Sequence, residues 1–159
     1  MNYDIICVGS LKERYWKDAE TEYLKRLSTF GRTEIHEIKE AYVSQNASKA
    51  EIASAMEKEG KSLLKSIPKQ AYTIALDGKG QMLSSEGLSK KLQILAVDGV
   101  SRVVFFIGGS NGLSKEVLAK SDFRLSFSAF TFPHQMMRTI LLEQIYRSCK
   151  IMEGSSYHK

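Results

Sequence analysis

Apolar positions follow two alternating patterns along the chain. Short apolar runs are typical of buried strands, and they occur at residues 3–9, 71–80 and 102–109. Segments in which apolar residues recur every three or four positions predict amphipathic helices, and they occur at residues 14–30, 48–67 and 84–99. Residues 32–40 alternate in period two, which predicts a further strand near Ile35 and Ile38 in a register that the sequence leaves open.

Turn and cap residues mark the ends of these segments. Pro68 ends the second helix, because its ring removes a helical hydrogen bond. Asp77 and Gly78 form a turn at the end of the third predicted strand. Serines supply the cap of the helix over 84–99 and of a short helix that begins at Ser114.

A strand over residues 123–130 and a long helix from Pro133 complete the alternation of strands and helices. Alternation at this spacing predicts a mostly parallel sheet flanked by helices. The chain has 159 residues and contains no repeat, low-complexity tract or Pro/Gly-rich linker, so it is long enough for one domain with its own core. We therefore predict a single α/β domain over residues 1–159.

Composition narrows the class of protein. Hydrophobic residues make up 43% and charged residues 26% of the chain, which is ordinary for a globular protein. No apolar stretch reaches the ~18 residues that cross a bilayer, and the first residues lack the basic leader of a signal peptide. Cys7 and Cys149 stand in apolar patterns and fit two reduced core thiols. We expect a cytoplasmic protein.

Charge and histidine content bear on the partners. The formal net charge is +5, which suits contact with RNA but is modest. Charge alone therefore leaves a nucleic-acid partner and an ordinary basic surface equally open. The chain has three histidines and no HxxxH or CxxC spacing, so we expect no bound metal.

The glycine-rich stretch at residues 108–112, Gly-Gly-Ser-Asn-Gly, follows a predicted strand and precedes a predicted helix. Nucleotide sites often have this arrangement, yet a dinucleotide fold places GxGxxG after its first strand. The first strand here offers only Gly9, and the chain has no Gly-Lys-Ser or Gly-Lys-Thr of a P-loop. Taken alone, the loop is equally well a tight turn that needs positive φ, with Ser114 as the helix cap.

Three strand ends together indicate a binding site. Ligands of parallel sheets bind outside the carboxyl ends of the strands, and here those ends carry residues 76–78, 108–110 and 126–134. In the third loop, three phenylalanines from Phe127 to Phe132 alternate with small residues, which predicts that the loop is either core or the wall of an apolar pocket. Backbone groups in such loops suit a flat, largely apolar ligand without phosphates.

The final helix carries two cations on an unexpected face. At about 100° per residue, its apolar face contains Leu141, Leu142, Ile145, Tyr146 and Cys149. His134 and Arg138 fall on the same face, where an unpaired cation is costly. Two alternatives are open: Arg138 pairs with a neighbouring carboxylate or helix end, or both residues border a site and face an anion such as RNA. The breadth of the apolar face predicts contact with another copy of the chain.

The chain ends in Tyr157, His158 and Lys159. Terminal residues are commonly inert, and that is the simpler interpretation of this tail. Yet the three residues supply a ring for stacking, an imidazole base and a contact for phosphate.

The chain resembles the RlmH family of the SPOUT superfamily, methyltransferases that modify a pseudouridine of the large ribosomal subunit. The residues that carry the resemblance are, in order, ALDGKGQMLSSEGLS, FFIGGSNGL, LSFSAFTFPHQMMRTILLEQIYRS and the closing YHK. The resemblance covers essentially the whole chain. It implies a deep trefoil knot in the C-terminal part of the domain, over roughly residues 71–159, which periodicity does not predict.

The resemblance also implies the reaction. The family methylates N3 of a pseudouridine in the intersubunit stem-loop of 23S ribosomal RNA, with S-adenosylmethionine as methyl donor, and acts on assembled 70S ribosomes as a homodimer. In the family the three loops bind that donor. The matching positions here are Leu76, Gly108, Phe127, Ser128, Ala129, Phe130, Thr131 and Phe132.

The roles of individual side chains follow from the resemblance and the chemistry together. His158 is the candidate general base for the N3 proton, Tyr157 positions it, and Lys159 contacts a phosphate or the developing imide anion. Lys159 stands where the family has arginine, and it lacks the bidentate fork of a guanidinium. Arg138 and His134 are candidates for orienting RNA or the tail of the opposite subunit.

Two other functions stay open on the sequence. One is a nucleotide-binding α/β protein of flavodoxin-like or Rossmann-like type, against which the missing phosphate fingerprints count. The other is a ribosome-associated protein without enzymatic activity that uses its basic surface alone. Affinity for S-adenosylmethionine, as against NAD or ATP, separates these alternatives from a methyltransferase.

Overall fold

The computed structural model describes residues 1–159. Its strands are β1 Asn2–Val8, β2 Thr33–Ile38, β3 Tyr72–Met82, β4 Arg102–Ile107 and β5 Phe123–Ser126. Its helices are α1 Arg14–Leu27, α2 Lys49–Lys65, α3 Ser85–Val97, α4 Lys115–Lys120 and α5 His134–Met152. Strands and helices alternate as the sequence predicts. None of the helices is both long enough and apolar enough to cross a membrane.

The five strands form one parallel sheet in the order β2-β1-β4-β3-β5. Tyr3 in β1 pairs with Thr33 on one side and Val103 on the other, which fixes the register of β2 that the sequence left open. Parallel neighbours need crossover connections, and the helices supply them. The predicted single α/β domain with a helix-flanked parallel sheet is therefore confirmed, while the trefoil knot stays a prediction.

The sheet separates two hydrophobic clusters, one on each face. Successive residues of a strand point to opposite faces, and in β1 Ile5 joins the larger cluster while Ile6 joins the smaller one. Phe105 and Phe106 divide in the same way in β4. All four side chains are fully buried, which explains why these strands read as continuous apolar runs.

The apolar face of α5 packs against the larger cluster. Leu141, Leu142 and Ile145 are fully buried within this one chain. The chain's own core covers these three side chains, so the expected contact with another copy of the chain does not use them, and the homodimer stays a prediction. Cys7 and Cys149 are buried free thiols, as predicted, and burial raises the pKa of Cys7 to about 12.

Strand β3 runs on past the predicted turn. Its pairing with β5 jumps from Leu76 to Gln81, so residues 77–80 bulge out of the ladder at the predicted Asp-Gly position. The bulge crosses β5 closely, since a Cβ on Gly80 would lie 2.6 Å from the carbonyl oxygen of Arg124. Only glycine fits this crossing.

Strand β5 ends at Ser126, four residues before its predicted end at 130. The cause is a local turn, in which the Phe130 N–H donates to Ser128 Oγ at 3.0 Å and Ser126 Oγ donates to the Ser128 carbonyl oxygen at 3.2 Å. Side-chain hydrogen bonds of this kind compete with the sheet ladder. The residues after Ser126 are thereby released to form a loop.

Candidate active site

A cavity opens at the carboxyl ends of β3, β4 and β5. Its volume is about 280 Å³, close to the lower end of the roughly 300–1,000 Å³ typical of small-molecule pockets. Its lining comes mainly from residues 76–78, 107–112 and 125–132. The three strand ends that the sequence singled out therefore meet around one space.

Most residues assigned to the methyl donor line this cavity. They are Leu76, Gly108, Phe127, Ser128, Phe130, Thr131 and Phe132. Ala129 is exposed and does not belong to the lining. His134 and Met137 from the start of α5 complete the wall, so His134 faces the cavity, whereas the sequence had placed it toward RNA or a second subunit.

The glycine loop after β4 is a tight turn and a cavity wall at once. A Cβ on Gly108 would lie 2.5 Å from the carbonyl carbon of Gly112, so the loop closes on itself without space for a side chain. Gly112 has φ +83°, a left-handed value that favours glycine, and its N–H donates to the Gly109 carbonyl oxygen at 3.0 Å. Ser114 caps α4, as predicted. The tight-turn alternative is therefore confirmed, and the loop also lines the cavity.

Asp77 is the charged cavity residue that sequence reasoning missed. Its carboxylate accepts a hydrogen bond from Arg124 Nε at 2.8 Å and a second one from Arg124 Nη2. It also accepts from the Lys79 N–H at 3.2 Å within the bulge. Both guanidinium nitrogens donate to the same oxygen, Oδ2, and this charged contact fixes the β3 wall of the cavity against β5.

Arg138 lies in a buried ion-pair cluster and is 4% exposed. Its Nη1 donates to Glu37 at 2.7 Å and to Glu20 at 3.0 Å, and its Nη2 donates to the Gly9 carbonyl oxygen at 3.3 Å. Of the two alternatives left open by the sequence, the structure therefore shows the one in which Arg138 pairs with neighbouring carboxylates. A role in orienting RNA would require breaking a buried pair, so we correct the assignment of Arg138 from RNA contact to a structural anchor of α5.

The tail packs against the middle of α5 and the start of α3. His158 Nε2 lies 2.7 Å from a carboxylate oxygen of Glu86, and His158 Nδ1 lies 3.4 Å from Arg147 Nη1. The Tyr157 hydroxyl donates to Glu143 at 3.4 Å. These two tail residues have defined partners, whereas Lys159 is exposed.

The tail contacts define one protonation pattern. The hydrogen bond from His158 holds the pKa of Glu86 down at about 2, so Glu86 is an acceptor. Arg147 can only donate, so His158 Nδ1 accepts when the two meet and Nε2 carries the hydrogen that Glu86 receives. The Arg147 guanidinium also lies 4.7 Å from the centre of the Tyr157 ring, which meets Tyr146 edge-on at 5.1 Å.

Within one chain the tail and the cavity are apart. None of the three tail residues lines the cavity. Met137 lines it and Glu143 contacts the tail, and these two residues of α5 are separated by about 9 Å along the helix axis. A site that combines the cavity with the tail residues therefore needs the tail of another protomer, or a different position of the tail in the same chain.

A second group of ligand-type residues lies toward the amino ends of β1 and β2. Asp4, Glu34 and His36 each bring one donor atom within 4.8 Å of the others, a juxtaposition of two strands that sequence spacing does not show. His36 Nε2 and Arg102 Nε lie 2.9 and 3.3 Å from the two oxygens of the buried Asp4, and Glu34 pairs with Arg32 at 2.6 Å. The guanidinium groups already balance the carboxylates, so the group is an ion-pair network of the sheet.

Comparisons with known proteins agree with this geometry. A family model described as "Predicted SPOUT methyltransferase" matches residues 1–158. Among solved structures, a probable methylase family protein from Haemophilus influenzae Rd KW20 is similar, with a TM-score of 0.54 over 99% of this chain and 70% of that chain. The two sequences are 12% identical, so this likeness bears on the fold alone.

Proposed function

Because the chain belongs to the SPOUT methyltransferase family, we propose that it methylates N3 of a pseudouridine in 23S ribosomal RNA, with S-adenosylmethionine as methyl donor. The observation that carries the proposal is the cavity at the carboxyl ends of β3, β4 and β5, whose lining includes seven of the residues that the RlmH resemblance assigns to the donor. The same resemblance favours the intersubunit stem-loop on assembled 70S ribosomes as the substrate.

The cavity residues fit the donor. Leu76, Phe127 and Phe132 offer apolar walls for a flat base, and the glycine loop offers backbone N–H and C=O groups for its edge. No lysine or arginine lines the cavity, which suits a ligand without phosphates. When bound, the donor supplies an electrophilic methyl group on a positively charged sulfur.

His158 is the proposed general base. In methyl transfer the N3–H bond of the pseudouridine would break, the proton would go to His158 Nδ1, and the electron pair left on N3 would form the new N–C bond as the methyl–sulfur bond breaks and its electron pair stays on the sulfur as a neutral thioether. Glu86 accepts the Nε2 hydrogen, which orients the ring and stabilises the imidazolium that forms. Nδ1 faces Arg147 in the free chain, so the substrate displaces this 3.4 Å contact.

We further propose a homodimer in which the tail of one protomer reaches the cavity of its partner. The support is the separation seen in one chain, where contacts to Glu86, Glu143 and Arg147 hold the tail outside the cavity lining. The exposed Lys159 then becomes available to a phosphate or to the imide anion of the substrate. In this arrangement each dimer contains two composite sites.

The test is transfer of labelled methyl from S-adenosylmethionine to 70S ribosomes, free 50S subunits and naked 23S RNA, all from cells without this modification. We expect label at N3 of a pseudouridine, in 70S ribosomes alone. His158→Ala serves as the control, because it retains the cavity. Absence of label in all three substrates, with a folded protein that binds the donor, would contradict the proposal.

A further inference from the structure

Three aromatic side chains of this protein are exposed, and all three lie at one edge of the sheet. Tyr15 is 62%, Tyr42 91% and Phe130 81% exposed, whereas every other Tyr, Phe and Trp is buried or half-buried. Tyr15 follows β1, Tyr42 follows β2 and Phe130 follows β5, so each comes after the carboxyl end of a parallel strand. This is also the edge at which the cavity opens. We call the three residues the aromatic rim.

We propose that Tyr15 and Tyr42 of the aromatic rim form a stacking surface for unpaired RNA nucleotides next to the target base, while Phe130 belongs to the cavity lining that they flank. The inference rests on the proposed function, since it takes RNA as the substrate. A ring in water has no packing role in the chain's own core, and every nucleobase offers a flat face on which such a ring stacks. Stacking of this kind tolerates any base sequence.

Tyr15 is held in place beside the cavity. Its ring meets the half-buried Trp16 at 5.0 Å between centroids and 64° between planes. The N–H of Lys12, just before α1, donates to Gln135 Oε1 at 3.1 Å in the first turn of α5. Because His134 in that turn lines the cavity, the segment that carries Tyr15 is fastened to the cavity wall.

Cations outnumber carboxylates around Tyr15. The charged residues of the segment are Lys12, Arg14, Lys17, Glu13 and Asp18. Arg14 lies 3.7 Å from Asp18 with both side chains exposed, a contact that contributes little to stability. Arg14 and Lys17 also stand in the first turn of α1, where a positive charge opposes the helix dipole. The two cations destabilise the start of α1, so contact with a phosphate explains their position better than helix stability does.

The loop that carries Tyr42 is attached to the glycine loop of the cavity. Glu40 Oε1 lies 3.5 Å from Ser110 Oγ in the glycine loop, and the Ala41 N–H donates to the buried Glu59 at 2.9 Å. Burial raises the pKa of that glutamate. The loop that carries Tyr42 therefore has two attachments, one to the glycine loop and one to α2.

The exposed aliphatic side chains differ from the rings in chemistry. Ile94 and Val97 stand on α3, Met152 ends α5, and Met82 ends β3 at the same edge of the sheet as the rings. Branched and straight-chain groups offer no flat face to a base, so the confinement of exposed rings to the cavity edge favours RNA over protein as the occupant. Val97, which is 82% exposed, is the matched control for loss of an exposed apolar group.

The test measures methyl transfer to 70S ribosomes by Tyr15→Ala, Tyr42→Ala, their double variant and Val97→Ala. We expect each rim substitution to raise the KM for ribosomes about fivefold or more, and the double variant to raise it further. The affinity for S-adenosylmethionine and kcat stay unchanged, and Val97→Ala behaves as wild type. Tyr15→Phe retains the ring and keeps the wild-type KM.

A photoreactive phenylalanine analogue at position 15 identifies the occupant directly. Crosslinks from this position to 23S RNA support the inference, and crosslinks confined to ribosomal protein would overturn it. A double variant with the wild-type KM would also overturn it while leaving the methyltransferase assignment intact. Absence of methyl transfer by the wild type would contradict the proposed function, and the crosslink is read independently of that reaction.

Discussion

The two ends of α5 are built by different chemistry. Its first turn, with His134 and Met137, borders a cavity of backbone loops and apolar side chains without a lysine or arginine. Past its middle, Glu143 and Arg147 hold a tail through charged hydrogen bonds and ring contacts. The first end offers apolar walls and backbone groups, and the other offers ionisable side chains. The proposed reaction needs both kinds of group, so it requires the two ends to be combined in one site.

The largest effect is expected when one protomer of a dimer keeps the cavity and the other keeps the base of the tail. Phe127→Ala with Phe132→Ala removes the cavity walls of one protomer, and His158→Ala removes the base of the other. Each variant alone is expected to be inactive. An equal mixture after subunit exchange regains about a quarter of wild-type activity, since about half of the dimers are mixed and each has one intact composite site.

The measurement is ribosome methylation before and after exchange, with each variant exchanged against itself as the control. Methylation activity returns after exchange only if the tail of one protomer acts on the cavity of its partner protomer. Inactivity of a mixture that mass spectrometry shows to contain mixed dimers would contradict the composite site.

The base at the tail end is tested by a single substitution. His158→Ala is expected to lower the single-turnover rate by about 10²–10⁴-fold, because proton removal from N3 loses its acceptor. The affinity for S-adenosylmethionine, measured by calorimetry, stays at the wild-type value because His158 lies outside the cavity lining. Normal turnover by this variant would remove the base role from His158.

The anchor between the two ends is Arg138, and its loss is expected to act on stability. Arg138→Met leaves Glu20 and Glu37 without their shared cation and lowers the free energy of unfolding by about 2 kcal/mol, less than for a fully buried pair, because the two carboxylates are 19% and 44% exposed. Urea unfolding measures this. Lys120→Met breaks an exposed pair with Glu116 and is the control, with an expected loss below about 1 kcal/mol. Equal losses in the two variants would contradict the anchor.

The smallest effect concerns docking of the tail on α3. The pKa of Glu86 is lowered from 4.5 to about 2 by His158, so the contact stabilises the docked tail fully above pH 4.5 and is lost as the pH falls toward 2. Ring resonances of Tyr157 in NMR spectra report the docking, and Trp16 fluorescence shows whether the domain stays folded. Glu86→Gln is expected to abolish this pH dependence, and an unchanged profile would count against the pair.

Local patterns were sufficient for much of the fold and of the cavity. The apolar runs of β1 and β4 and the serine caps of α3 and α4 are encoded in neighbouring residues. Strand ends of a parallel sheet share one edge, so the meeting of the three loops followed from the alternation itself. All eight donor positions came from motif resemblance rather than from periodicity, and seven of them line the cavity.

Contacts between distant elements could not be predicted in the same way. The partners of Arg138, Glu20 and Glu37, lie on α1 and β2, and only the packing of α5 brings them together. The Asp77–Arg124 contact depends on a register shift between β3 and β5 that no sequence period shows. The apolar face of α5 was assigned to a second copy because periodicity shows that a face is buried and not what buries it.

The position of β1 in the sheet bears on how the protein is made. Six of its seven residues are buried, and its second neighbour, β4, begins only at Arg102. A nascent chain that has reached Val97 therefore carries an apolar strand with one unpaired edge, a state prone to aggregation. We expect ribosome-bound chains halted there to recruit chaperones, and chains extended beyond Ile107 to release them as the sheet closes around its first strand.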